Sequence, residues 1–203
     1  SALGSSLHPA NIPMAVYDNL VSAVHDNLEP LRRYARLRKK ILGVDDIHHY
    51  DVYTPLFKAG DSEYEYSKAV DLTVQHLEPL GKDYLKVMQD GINGGWIDVY
   101  ENQGKRSGAY SWGSYATHPY VLLNYAKKLN DVMTLAHELG HAMHSWYSRQ
   151  GQPYVYGDYT LFLAEVASTT NEALVMHGLI NNTTDKKLKL VLLNQYLDNI
   201  VGT

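Results

Sequence analysis

Three residues of the stretch TLAHELGHAMHSWY (134–147) have the types and spacing to hold a metal ion and use it: His137, Glu138 and His141, in the order HExxH. An α-helix turns ~100° per residue, so His141 lies ~40° from His137 and one turn along. Two imidazoles so placed reach one cation from the same side. Glu138, rotated ~100° from His137, falls beside that cation and off the ligand axis, where a base can take a proton from a water at the ion. Leu135, Ala136, Leu139, Ala142 and Met143 make the surroundings apolar, and a histidine pair in such a setting needs hydrogen-bonding or metal partners. HExxH also arises by chance on surface helices, so the motif alone leaves a plain helix open.

A catalytic zinc site with three protein ligands draws one of them from another element. His144 shares the ligand face, ~20° from His137. Three histidines strung along one helix cannot surround an ion tetrahedrally, so His144 is read as a wall or hydrogen-bonding residue behind the ligands. The metzincin spacing would require Gly at 144 and His at 147, and the chain has His144 and Tyr147. The next helical stretch, LFLAEVASTTNEAL, offers Glu165, 24 residues after His141. That separation covers the rest of one helix, a turn through GQPYVYGD and an antiparallel return. Leu161, Phe162, Leu163, Ala164, Val166 and Ala167 flank Glu165. A lone carboxylate buried among them would want a cation. Glu165 is the expected third ligand; the alternative is an exposed carboxylate on an amphipathic helix. Glu172, two turns further on, is placed to orient a ligand histidine from behind. The expected cofactor is one Zn²⁺ per chain.

The elements that must position these residues read as mainly α. Helical patterning covers about 11–91. Asn11 is a candidate cap, Pro13 falls in a first turn, and Pro30 kinks or splits the helix before LRRYARLRKKIL. A second helical stretch breaks at Glu78-Pro79 and closes at the glycines 91, 94 and 95. WIDVYENQGKRSGAYSWG, at about 96–113, has β-formers on either side of a turn-like Asn-Gln-Gly and predicts a short β-hairpin. It is the only convincing strand region in the sequence. Metal-binding helices follow within about 127–180, then a terminal helix at about 184–201 whose Leu190, Leu193, Leu197 and Val201 form an apolar stripe expected to face the interior.

Composition narrows the chemistry. The 203 residues include no cysteine, so disulfides and thiolate metal sites are excluded. A net charge of −4 gives no pointer to nucleic acid or an anionic membrane. The basic cluster Arg32, Arg33, Arg36, Arg38, Lys39 and Lys40 is interleaved with apolar residues and reads as a solvated helix face. No apolar run approaches the ~20 residues of a membrane span. The opening SALGSSLHPA has no signal-peptide pattern, and NNTT at 181–184 is read as a polar loop and cap. A cytoplasmic protein is expected. With no cysteine and no serine in an elbow motif, covalent nucleophilic catalysis is not expected.

DVMTLAHELGHAMHSWYS followed by FLAEVASTTNEAL closely resembles the oligoendopeptidase F group of the thimet oligopeptidase family of zinc metallopeptidases. GKRSGAYSWGSYATHPYVLLNY and LRRYARLRKKILGVDDIHHYDVYTPL are similar to the regions upstream of the zinc helix in that family, so the resemblance extends over nearly the whole chain. It implies a zincin-like helical catalytic domain, with a small β-hairpin or sheet beside the HExxH helix. It implies zinc on His137, His141 and Glu165, with Glu138 as the general base. It implies hydrolysis of short oligopeptides, with the strand at Gly108, Ala109 and Tyr110 offering edge hydrogen bonds to the substrate. Family members are several hundred residues long, and their oxyanion-stabilising residues lie beyond the position that matches residue 203. Residues 1–203 are therefore expected to be part of a catalytic domain, and the piece alone to bind zinc, cleave poorly and self-associate through an exposed apolar face. The rival readings are a non-catalytic zinc-stabilised helical module and a plain helical interaction domain.

Overall fold

The computed structural model describes residues 2–57 and 63–202. Backbone contacts divide the chain into two units, Ser1–Gly60 with Asp185–Thr203, and Asp61–Thr184.

The first unit is helical: α1 (Ala2–Leu7), a 3-10 turn, α2 (Met14–Asp26), α3 (Leu28–Leu42), a second 3-10 turn at His49–Tyr53, and α8 (Lys186–Gly202). Asn11 does not cap a helix as expected. It takes a left-handed conformation that closes the first 3-10 turn, and Pro13 stands just before α2. The break expected at Pro30 falls instead at Asn27. Pro30 sits in the first turn of α3, where its missing N–H costs nothing. The basic cluster is solvated except at Arg38, which is buried. Its guanidinium donates to the carbonyls of Asp51 and Thr54 and pairs with Asp198 at 3.1 Å, tying the His49–Tyr53 turn and α8 to α3. The stripe of Leu190, Leu193, Leu197 and Val201 is exposed rather than interior, and it is Leu192 that is buried.

The second unit carries the chemistry. It contains α4 (Tyr66–His76), a 3-10 turn at Glu78–Leu80, α5 (Lys82–Asn93), α6 (Leu129–Gly151), a 3-10 turn at Tyr154–Tyr156 and α7 (Leu161–Asn182). The Glu78-Pro79 break lies where the sequence places it. The expected hairpin does not form. β1 (Ile97–Asp98) and β2 (Tyr110–Trp112) both pair with β3 (Tyr120–Leu122), giving the order β1-β3-β2, parallel on one side and antiparallel on the other. Three residues of alternating burial after a proline are too short a pattern for β3 to stand out in sequence. The carboxylate of Asp131 accepts the N–H groups of Ala126 and Lys128 and so fixes the start of α6. Val132, Leu135, Ala136, Leu139 and Ala142 are fully buried, which makes α6 the central helix of the unit. α4, α5 and α7 pack on it, as do β2 and β3.

Candidate metal centre

His137 and His141 leave α6 on one face, as their spacing requires. Their Nε2 atoms stand 3.0 Å apart. Oε2 of Glu165, on α7, lies 3.4 Å from the first and 3.6 Å from the second. One donor atom from each of the three residues falls within 4.8 Å of the others. Three donor atoms this close can share one cation, and the histidine and carboxylate donor set suits a tetrahedral divalent ion.

His137 and Glu165 are held from behind. Nδ1 of His137 donates to Oε1 of Glu172 at 2.5 Å, which leaves Nε2 as the free lone pair. The Glu172 carboxylate also holds the His137 ring above the ordinary imidazole range. Burial pulls His141 below that range. The hydroxyl of Ser168, itself fully buried, donates to Oε2 of Glu165 at 2.8 Å and aims that carboxylate. Asn171 donates to the Ala136 carbonyl and accepts from Tyr84, crossing from α7 to α6 and α5. Neither Ser168 nor Asn171 stands out in the sequence. Their only signal is a place one and two turns beyond Glu165 on the same helix.

The close approach of the two helices rests on Gly140, the small residue inside HELGH. A Cβ there would stand 2.6 Å from Cα of Ser168 and 2.8 Å from the Ala167 carbonyl. Glu138 is only 6% exposed, and its Oε2 has no hydrogen-bond partner among the described residues. Burial pushes its carboxyl up to about 7, which suits a group that takes and returns a proton near neutrality.

One sequence expectation changes here. Glu165 is not buried: its side chain is 56% exposed, and Leu161, Phe162, Leu163 and Val166 around it are exposed as well. The pull toward a cation therefore comes from the converging histidines rather than from desolvation by those neighbours. His144, expected as a wall or hydrogen-bonding residue, has an aromatic ring for its neighbour. It stacks on Tyr159 at 3.7 Å between ring centroids, with Nδ1 buried and unpartnered among the described residues, and burial lowers its pKa.

A cleft of 730 Å³ opens over the group, with His137, Glu138 and His141 on its α6 side and Ala109–Gly113 opposite. Register decides which backbone groups face it. Val121 and Leu123 donate to β1, through the carbonyls of Trp96 and Asp98. In a strand, alternate residues turn their N–H and C=O to opposite edges. Tyr120 and Leu122 therefore face β2, and their partners Trp112 and Tyr110 face inward to meet them. The outward-facing groups of β2 and its flanks belong to Ala109, Ser111 and Gly113. Of the three residues expected at the edge, only Ala109 qualifies. The Gly108 carbonyl is bound by the Asn124 side chain at 2.8 Å, and Tyr110 spends its peptide groups on β3. Gly108 is needed for its backbone, at φ +89°, and nothing crowds the place of its missing Cβ.

The chain belongs to peptidase family M3, whose sequence pattern it matches over residues 1–203. It is 48% identical over 203 residues to Oligopeptidase PepF of Bacillus subtilis (strain 168), covering 100% of this chain and 30% of that protein. It is 47% identical to an Oligoendopeptidase F homolog of Lactococcus lactis subsp. lactis (strain IL1403), covering 100% of this chain and 34% of that one. Among solved structures, a protein of Chlamydophila abortus superposes with a TM-score of 0.89 at 44% identity, over 98% of this chain and 33% of that chain. Oligoendopeptidase-F of Enterococcus faecium superposes with a TM-score of 0.65 at 30% identity, over 100% and 28%. The chain thus spans about a third of the length of the curated relatives it matches.

Proposed function

We propose that this segment carries the metal and proton-transfer groups of a zinc-dependent endopeptidase acting on short peptides. The observation that carries the reading is the convergence of His137, His141 and Glu165 within 4.8 Å, with a buried, unpartnered carboxylate oxygen of Glu138 beside them. Those donors fit Zn²⁺, which when bound supplies Lewis acidity toward water and the scissile carbonyl. Glu138 takes the proton of the attacking water and delivers it to the leaving amine. Glu172 fixes the His137 tautomer, and Ser168 fixes the Glu165 carboxylate. Ala109 and Ser111 hold the peptide backbone as an added strand.

The reading is tested by metal analysis of the purified chain and by peptide cleavage in the full-length protein, with and without chelator. One zinc per chain and chelator-sensitive cleavage are expected. Absence of any transition metal after metal-replete purification sinks the reading. Metal without cleavage in the full-length protein leaves the zinc-stabilised module in its place. The His144 ring backs the cleft wall through its stack on Tyr159, which lines the cleft.

Two further outcomes follow from the geometry. Glu172→Gln should weaken zinc binding by roughly 10- to 100-fold, as loss of a carboxylate behind a ligand histidine typically does; competition with a chromogenic chelator measures it, and an unchanged affinity would detach Glu172 from the site. The isolated 203 residues should bind zinc yet turn over peptides poorly, on the reading that the family resemblance puts the oxyanion donors outside them; a lost donor typically costs ~10²–10³ in rate. Turnover equal to that of the full-length protein would place the donors within this segment.

No described helix is long and apolar enough to cross a membrane. A cytoplasmic site of action is part of the proposal, in keeping with a chain free of cysteine. So is self-association of the isolated segment through its exposed residues Tyr154, Val155, Tyr156, Leu161 and Phe162.

A further inference from the structure

The cleft is lined by three carboxylates, Glu138, Asp158 and Glu165, and by one guanidinium, Arg149. Arg149 lies two turns beyond His141 on α6, ~12 Å along the helix axis. Its side chain is 11% exposed. One terminal nitrogen donates to the Gly113 carbonyl at 3.2 Å, which closes the last outward-facing acceptor of the edge strand. The Asp158 carboxylate stands 3.6 Å from that same nitrogen, too far for a hydrogen bond, on a side chain that is 94% exposed. The other terminal nitrogen and Nε are buried with no partner among the described residues.

A permanently charged group withdrawn from water and met by one carbonyl is under-compensated. Asp158 offsets little of this, since an exposed carboxylate at that distance is screened by solvent. The turn that carries it is fixed from below, because the hydroxyl of Ser148 donates to the Gly157 carbonyl at 2.8 Å. The Asp158 side chain is therefore free to swing out while its backbone stays in place.

We propose that Arg149 is a specificity-determining residue that receives a carboxylate of the bound peptide and displaces Asp158 from its side. The inference rests on the peptidase reading given above. At ~3.3 Å per residue of extended chain, 12 Å of helix corresponds to about four peptide residues from the metal ligands. A carboxylate at that distance comes from an acidic side chain or from the peptide's own C-terminus. A guanidinium binds either through the same charge-assisted hydrogen bond.

The test uses the full-length, zinc-loaded protein and matched peptides. Glu or Gln is walked through the positions up to five residues on either side of the cleaved bond, and each peptide is made with a free and an amidated C-terminus. The wild-type protein should favour the carboxylate at one position by roughly tenfold to a hundredfold in kcat/KM, the range of a hydrogen bond to a charged group. The Glu/Gln arm and the free/amidated arm show which source supplies it. Arg149→Gln should bring that ratio close to one, Arg149→Lys should retain part of it, and Asp158→Asn should raise it by removing the competing carboxylate. A residue that only braced Gly113 would change all peptides alike and leave the ratio untouched, so a uniform loss in Arg149→Gln overturns the proposal. So does a wild-type protein indifferent to carboxylates at every position while still cleaving neutral peptides. Failure to cleave any peptide in a chelator-sensitive way would instead remove the underlying peptidase reading, and this proposal with it.

Discussion

Replacing Glu138 by Gln in the full-length protein is expected to lower peptide turnover by a factor of ~10²–10⁴, the usual worth of a positioned general base. Zinc content should not change. The amide keeps the size of the side chain and removes only its ability to take a proton. Its effect on the fold should run the other way from its effect on rate. Glu138 is 6% exposed, with one carboxylate oxygen unpartnered among the described residues, and its burial disfavours the charged form. A neutral amide relieves that cost, so thermal unfolding of the metal-free protein at pH 8 should occur at the same temperature or higher. Near-normal turnover in Glu138→Gln would take the residue out of its assigned role. Low turnover with a lowered unfolding temperature would mean that the loss comes from damage to the helix.

Gly140→Ala should damage the site without touching a ligand. The added methyl would meet the backbone of Ser168 and Ala167, at 2.6 and 2.8 Å, and neither can turn aside as a side-chain tip could. Alanine favours an exposed helix over glycine by about 1 kcal/mol. Overpacking against backbone typically costs about 1–3 kcal/mol, so the net effect is destabilising. To relieve the clash α7 must move away from α6, and it carries Glu165 with it. Zinc affinity should fall at least tenfold, read by chelator competition, and zinc should raise the unfolding temperature less than in the wild type. An alanine variant with unchanged affinity would show that the helices can separate without moving the carboxylate.

The sequence made the candidate metal ligands legible because a helix has a fixed pitch. HExxH states where two side chains point before any tertiary contact is known. Glu165 could be chosen as a candidate for its distance along the chain, but the reason offered, burial among Leu161, Phe162 and Val166, does not hold in this segment. Exposure depends on what packs from outside a helix, and apolar periodicity alone does not say whether a partner is present. The same limit explains the exposed stripe of Leu190, Leu193 and Leu197. Residues that act through partners distant in sequence were invisible. Ser168 matters because Gly140, on another helix, lies opposite it and lets the two backbones come close. Arg38 matters because the turn at Asp51–Thr54 folds back onto it. The sheet was misread for a related reason. β1 and β2 look like the two arms of a hairpin, yet β3 lies between them, and that insertion is settled by long-range pairing rather than by the Asn-Gln-Gly turn. Among the expected edge residues Gly108 and Tyr110 turn the other way from Ala109, since period-two alternation makes neighbours face opposite ways.

That alternation also predicts what the cleft rejects. Ser111 is the one residue within β2 whose N–H and carbonyl both point outward, and the Gly113 carbonyl beyond it is already taken by Arg149. At the Ser111 step an aligned peptide is read by its amide and carbonyl rather than by its side chain. Most residues satisfy that step equally. Proline does not, because it has no hydrogen to give, so peptides with proline opposite Ser111 should be left uncut in a mixture where their neighbours disappear.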